Sequence, residues 1–427
     1  MKRTLHRDRF GRLSHRVFLD DPRLQELLAI LNTDGEQARV VGGAVRNALI
    51  GAPPGDIDIA TTAVPEVVIA RAKAAKLRSI PTGIAHGTIT VVVAGIAFEV
   101  TTLREDVETN GRHAVVRFGR DFAADALRRD FTINALSVDV DGTLHDYTNG
   151  LDDLEAGQVR FIGDSDTRIR EDYLRILRFF RFSAFYSTGP LDAAGLEASR
   201  RNAEGMQRLS RERVRAELVK LLLAPRAPDV LIAMEEFQLL EPIIGLPCRP
   251  RRFERLVQIM ALRGMRPDAM LSLAALAVTD DRAPERLRDA LRLSNEERNR
   301  LERLAARMRR SRDSAAPPDA HALSALLFAE GRQTAVDVVT LWHVDSNAPS
   351  EDVSWQAAAR FAASAAVPTL PVSGSDIMAR GIRSGPMVGQ VLKELQALWI
   401  RAGFPDNPSA LHRLLDEAIE TSRPSSV

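Results

Sequence analysis

Cysteine is almost absent from the 427-residue chain: Cys248 is the only one. An intramolecular disulfide and a cysteine-based zinc site are thereby excluded, and a reducing compartment, the cytoplasm, is expected. Aromatic residues are scarce, at 5%, while Ala, Leu and Arg abound, which leans the composition towards helix. Long apolar runs are missing too. The longest nearly apolar stretch, Ala269–Val278, falls far short of a membrane span, so no membrane partner is expected. No apolar core follows the basic N-terminus, so no signal peptide is expected. The pattern Gly-x-x-x-x-Gly-Lys-Ser/Thr is absent, which argues against a P-loop ATPase. There is neither a fixed-period repeat nor a low-complexity tract. A strong net charge is lacking as well, the balance being +1, but it hides local bias. Arg200–Arg226 carries eight basic residues against three acidic, and Arg298–Arg312 seven against one. Such runs suit a phosphate backbone, or are simply solvated helix faces.

What is present is a globular composition, 45% apolar and 27% charged, on a chain long enough for about two to four domains. Its organising stretch is Val40–Thr62, VVGGAVRNALIGAPPGDIDIATT. It reads as a short strand, a Gly-Gly turn, a short helix, a Pro-Gly loop and a second strand. Side chains two apart on a strand share a face, so Asp56 and Asp58 aim one way, Ile57 and Ile59 the other. Two neighbouring carboxylates repel unless a cation sits between them, and Mg²⁺ favours one or two carboxylates plus substrate oxygens. Gly42-Gly43 lets the backbone approach a ligand and opens a helix whose first amides attract phosphate; Arg46 adds a fixed positive charge there. Each pattern alone also describes an ordinary wet strand or glycine turn; the two together are far more specific. Metal-held aspartates beside a phosphate-binding turn would perform phosphoryl or nucleotidyl transfer, with no nucleophilic side chain required.

Strands and helices alternate up to about residue 150, and helices follow. Residues 1–20 read as a loosely held arm, and Leu24–Leu31 as a short helix. Thr88–Ala94 and Ile96–Thr102 form an expected hairpin, with Glu99 opposite in face to Phe98 and Val100 and either a third metal ligand or a surface group. Residues 103–112, charged and containing Asn-Gly, read as a mobile loop beside a site. Asp141-Gly142 is a hairpin signal before Thr143–Tyr147. Ser210 is a candidate helix cap, Ser294-x-x-Glu297 is a capping-box pattern, and Ser311–Ala320 with Pro317-Pro318 is the clearest linker.

Arg168–Tyr186 is the most unusual segment. Read as one helix, it is apolar nearly all round, yet Arg175, Arg178 and Arg181 recur every third residue. That stripe either snorkels to solvent or lines a cleft holding an anion. Asp172 accepts and Arg175 donates, three apart on one helix face. The pair would match the exocyclic amine and ring nitrogen shared by cytosine and adenine, and reject uracil and guanine. It could equally be an intrahelical salt bridge worth about 0.2–0.5 kcal/mol.

Taken together, Gly42-Gly43-Ala44-Val45-Arg46, Asp56-Ile57-Asp58, Arg128-Arg129-Asp130-Phe131-Thr132-Ile133-Asn134-Ala135 and Glu171-Asp172-x-x-Arg175-x-x-Arg178-x-x-Arg181-Phe182 resemble the class II tRNA nucleotidyltransferase and bacterial poly(A) polymerase family over residues 38–225. The resemblance implies an α+β protein: a nucleotidyltransferase-fold head with a small β-sheet (1–150), then an all-helical neck that reads the base (151–225), body (226–312) and tRNA-binding tail (313–427). It implies that Asp56 and Asp58 bind Mg²⁺ with Glu99 as a less certain third carboxylate, that Gly42, Gly43 and Arg46 meet the triphosphate, and that Asp130 contacts the sugar. Asp172 and Arg175 would template C and A from CTP and ATP, with Arg178 and Arg181 supporting them or meeting phosphate, and Arg128 and Arg129 would touch phosphate or primer. The implied activity is CCA addition to tRNA; poly(A) synthesis, C-only or A-only addition, or a non-catalytic RNA binder on the same scaffold are the rivals. Two departures stand out: Asn47 where the family usually has Asp, and Asn149-Gly150 where Gly-Gly is common. His145-Asp146, the only His-Asp pair, falls in the expected hairpin, so no appended phosphohydrolase domain is expected. Nothing in the sequence sets an oligomeric state.

Overall fold

The computed structural model describes residues 4–8, 11–14, 18–109, 114–308 and 316–422. The chain divides into two compact units, Met1–Cys248 with Asp289–Arg292, and Arg249–Arg288 with Leu293–Val427.

The first unit is built on a mixed sheet. Its strands are β1 (Ala38–Val41), β2 (Asp58–Thr61), β3 (Arg78–Gly83), β4 (Thr88–Val93), β5 (Ile96–Thr102), β8 (Ser137–Val138) and β9 (Leu144–His145), in the order β3-β4-β5-β2-β1-β8-β9. Burial alternates along β5, Phe98 and Val100 inward and Glu99 outward, as the period of two requires. The expected hairpin turns at Ala94-Gly95, both with positive φ, the two-residue geometry that matches strand twist. The neighbours β2 and β5 run parallel, with α3 (Pro65–Ala74) packed on the crossover strands, and register sets Asp58 opposite Glu99. Two further helices, α1 (Pro22–Leu31) and α2 (Gly43–Leu49), complete this part; α1 packs on α3 and the sheet, α2 on β1.

Three readings of this half need correction. The N-terminal arm is docked: Leu5, Leu13, Phe18 and Leu19 are buried, and Leu13 N–H donates to the Gly142 carbonyl. The expected loop at 103–112 is mostly strand, β6 (Arg104–Thr109) pairing with β7 (Ala114–Phe118); the Asn110-Gly111 turn signal lies outside the described residues. β3 escaped notice because Pro81 breaks its pattern, which an edge strand tolerates.

Short helices then carry the chain through the unit: α4 (Phe122–Leu127), α5 (Gly150–Ala156), α6 (Ser165–Glu171), α7 (Leu174–Tyr186), α8 (Ala193–Arg201), α9 (Arg211–Leu222), α10 (Ala227–Glu236) and α11 (Leu240–Ile244). The single helix expected over Arg168–Tyr186 is therefore two. An aromatic cluster ties α7 to the end of the head. Phe131 lies 4.9 Å from Phe161 and 5.3 Å from Phe182, and Phe161 stacks on Phe179 at 5.5 Å. Each such pair adds about 0.5–1.5 kcal/mol beyond simple burial.

Helices continue as α12 (Pro250–Leu262), α13 (Ala269–Ala277), α14 (Ala283–Leu291), α15 (Asn295–Met308), α16 (Ala320–Asp345), α17 (Val353–Ser364), α18 (Gly374–Ala379), α19 (Pro386–Arg401) and α20 (Pro408–Ser422). Aspartate is the recurrent starter: Asp21, Asp121, Asp164, Asp192, Asp268, Asp319 and Asp352 each accept a first-turn N–H. Ser294 and Glu297 form the anticipated capping box, whereas Ser210 makes no side-chain cap. α16 bends at Gly331, whose φ of 75° leaves helical space. Among the described residues no helix is long and apolar enough to cross a membrane.

Candidate active site

Gly42 ends β1 with φ 70° and ψ −120°, a conformation only glycine adopts without strain. A Cβ at the same position would stand 3.1 Å from Arg129 Nη1, so the arginine side chain would have to give way. Gly42 and Gly43 line a cleft of about 510 Å³. Asp58, the first residue of β2, opens into it, while Asp56 lies just before the strand, exposed, and not on it as the sequence suggested. Asp58 is exposed as well, but nearby protein still partly desolvates its carboxyl. That desolvation, then the charges of Glu99 and Asp56, push it above the usual carboxylate range, against the pull of Arg129.

The segment Arg128–Ala135 frames the next wall. Arg128 and Arg129 both donate to Asp125 of α4, at 2.5 and 3.2 Å, and Arg129 also donates to the Asn134 carbonyl. Asp130 is 7% exposed, and each of its oxygens is taken. Oδ1 accepts from Phe131 N–H (2.9 Å) and Asn134 Nδ2 (3.0 Å), Oδ2 from Arg178 Nε (2.7 Å). Burial works to raise this carboxyl, but Arg178 and these hydrogen bonds hold it below the usual range. Arg46 is buried against Phe182 and Tyr186, and desolvation lowers its affinity for the proton. Its guanidinium donates to Asn134 Oδ1, to Asn47 Oδ1 and to the Tyr186 hydroxyl.

The third wall is the break between α6 and α7. Asp172 is extended (φ −154°, ψ 107°); its Oδ1 accepts from Leu174 N–H and its carbonyl from Arg175 N–H, starting α7 afresh. The expectation that Asp172 and Arg175 share one helix face and pair is thus corrected. Asp172 Oδ2 accepts from Arg213 of α9 at 2.6 Å, and Arg175 donates to Glu171 and to the Arg168 carbonyl. Tyr173 is seated against Gly205, where a Cβ would come within 2.0 Å of its ring. The arginine stripe does line the cleft at Arg175 and Arg178, but not at Arg181. Arg178 pairs with Asp130, and Arg181 with Glu217 of α9 at 2.5 Å, so the anions it holds are the protein's own.

The cleft thus gathers Gly42, Gly43, Arg46, Asp58, Arg128, Arg129, Asp130, Asp172, Arg175 and Arg178. Asp56, Glu99 and Arg181 are not on its lining, although Glu99 neighbours Asp58 in the sheet. Sequence reasoning missed Asn134, Arg213 and Tyr186. Tyr186 was the most accessible of these, since Arg178, Phe182 and Tyr186 are spaced by four along one face of α7.

The departures also find reasons. Asn149 sits at φ 62°, the left-handed region that asparagine tolerates best after glycine. Gly150 cannot change, because a Cβ would meet the Thr132 carbonyl oxygen at 2.2 Å. Asn47 faces the Arg46 guanidinium.

The donor chemistry around Asp58 fits a hard divalent ion. Among the described residues no arginine or lysine is ion-paired with Asp56, Asp58 or Glu99. No group of three such ligands is preassembled among them either, which agrees with an ion that completes its shell from substrate oxygens.

The family described as poly A polymerase head domain matches residues 38–160, and one described as a probable RNA- and SrmB-binding site of polymerase A matches residues 191–247. The mitochondrial CCA tRNA nucleotidyltransferase 1 of Mus musculus is 37% identical over 390 residues, covering 89% of this chain and 87% of its own. That of Danio rerio is 33% identical over 413 residues, covering 92% and 90%. The CCA-adding enzyme of Bacillus stearothermophilus, solved in complex with CTP, superposes with a TM-score of 0.72 at 28% identity, covering 93% of this chain and 98% of that one. With four sequence motifs converging on one cleft and relatives matched along nearly their whole length, the chain belongs to the CCA-adding tRNA nucleotidyltransferase family, which shares its head with poly(A) polymerases.

Proposed function

We propose that this protein adds C, C and A to the 3′ end of tRNA from CTP and ATP, releasing pyrophosphate. One observation carries the reading: a single cleft is lined both by the Gly42-Gly43 turn and Asp58 and by Asp172 and Arg175. A nucleoside triphosphate asks for both kinds of group at once, one set for its phosphates and one for its base. Gly42 and Gly43 leave room for the phosphates, and Arg46 directs charge at them. Asp172 accepts from an exocyclic amine while Arg175 donates to the adjacent ring nitrogen, which selects C and A. Asp130 acts indirectly, by fixing Arg178 and Asn134. Arg128 and Arg129, on the cleft lining, are assigned to contact phosphate or primer.

Family membership implies use of a divalent metal. We assign Mg²⁺, held by Asp56 and Asp58 with Glu99 behind them; when bound it would neutralise phosphate oxygens and favour attack by the tRNA hydroxyl. The helices of 226–312 and 313–427 are read as body and tail gripping tRNA, although on α15 Arg298, Arg300 and Arg307 are paired with the protein's own carboxylates. The cytoplasm is the compartment proposed, on the strength of the lone cysteine.

The test offers purified protein, Mg²⁺ and labelled CTP or ATP to tRNAs lacking CCA, ending in one C, or ending in two. Two C additions, one A and then arrest are expected. Unlimited A addition to any RNA would replace this reading by poly(A) synthesis, and no incorporation would leave an RNA-binding protein.

A further inference from the structure

Arg46 is buried to 6% exposure, yet every hydrogen-bond partner of its side chain is neutral. Nε and Nη2 donate to Asn47 Oδ1 at 3.2 and 3.0 Å, Nη1 to Asn134 Oδ1, and Nη2 to the Tyr186 hydroxyl at 2.7 Å. Desolvated charge is costly, so a buried guanidinium ordinarily carries a carboxylate partner. Here the acid is one step removed: Asn134 accepts from Arg46 and passes its own Nδ2–H to Asp130. At position 47, within direct reach, stands an amide. Tyr186 closes the ring, accepting from Arg46, donating to Asn47 Oδ1 at 3.1 Å, and laying its aromatic face 4.0 Å from the guanidinium carbon.

We infer that Asn47 and Tyr186 are positioning residues: a neutral clamp that aims Arg46 at the triphosphate without neutralising it, so that the phosphates supply the missing counter-charge. The inference rests on the nucleotidyl-transfer reading above. Tyr186 also closes α7, so a single helix runs from this clamp to the neighbourhood of Asp172, the proposed base reader.

Tyr186→Phe keeps the ring and removes both hydroxyl hydrogen bonds. KM for CTP and for ATP should rise together by about tenfold, the scale of one hydrogen bond to a charged group. Binding of inorganic triphosphate to the protein without tRNA should weaken by the same factor, with kcat and the preference for C over U unchanged. Asn47→Asp supplies a carboxylate that holds Arg46 unaided, so the Tyr186→Phe penalty should shrink to less than about twofold in that background. An equal penalty in both backgrounds, or a loss confined to kcat or melting temperature, would overturn the clamp and leave Tyr186 a packing residue. Should the wild type incorporate neither nucleotide, the activity proposed above falls, and the clamp is still judged by triphosphate binding.

Discussion

At the scale of single residues, function is written as charge left unbalanced. Asp58 is held above the usual carboxylate range by desolvation and by Glu99 and Asp56. A carboxyl raised in the folded state stabilises the fold only when protonated, and its charge costs stability once the pH exceeds its folded value. Asp58→Asn should therefore abolish nucleotide incorporation and yet slightly raise the melting temperature of the metal-free protein at pH 7, the effect being small because solvent screens an exposed carboxylate. That gain should shrink as the pH is lowered towards the unfolded value of 3.8. A lowered melting temperature at pH 7 would mean that the carboxylate is structurally satisfied. Asp130 is the opposite case, a buried charge fully matched by Arg178. Arg178→Met alone should destabilise by about 3–5 kcal/mol, since it strands that charge. The pair Arg178→Met with Asp130→Asn should recover most of the loss in urea denaturation.

At the scale of elements, the discontinuity between α6 and α7 is where the proposed base reading would take place. It exists because Asp172 turns its carboxylate to the new helix start and to Arg213, and because Gly205 makes room for the Tyr173 ring. A methyl group at 205 must displace Tyr173 and, with it, Asp172. Gly205→Ala is expected to reduce the preference for CTP over UTP by about tenfold to a hundredfold, the usual penalty for a misplacement near 1 Å. Comparing kcat/KM for the two nucleotides measures it, and unchanged discrimination would show that the break is not what aims Asp172.

At the scale of the whole molecule, the mixed sheet and the α6–α7 pair complete the cleft within one unit, and the second unit is helical throughout its described residues. A phosphate-rich partner gripped by basic helices should be lost as salt rises. KM for tRNA should increase steeply between about 50 and about 200 mM salt, while KM for CTP moves far less. Cys248 reports on integrity of the fold. Burial, with Glu235 and Glu241 nearby, pushes its thiol up to about 12, so a thiol reagent at pH 8 should react slowly with native protein and fast in denaturant.

Much of this was legible in the residues themselves. The Gly-Gly turn, the alternation along β5 and the Asp-Gly and Ala-Gly hairpins are local patterns, whose period or backbone demand is set by neighbours in the chain. The docked arm was not legible, because its few apolar residues show no period and its backbone partners, Leu49 and Gly142, lie far along the chain. The β6–β7 ribbon was not either, because a charged strand and a mobile loop look alike until pairing satisfies their amides. The partners of the cleft's arginines follow the same rule: Arg213 and Asp172, Arg178 and Asp130, Arg46 and Tyr186 are 41, 48 and 140 residues apart. The sequence by itself determined the family and the candidate groups, since two acids, a glycine turn and an arginine-rich helix mark them by type and spacing. Only the tertiary structure decided which arginines are spent on the protein's own carboxylates and which one is left for a substrate, because that depends on desolvation and on neighbours that packing alone brings together.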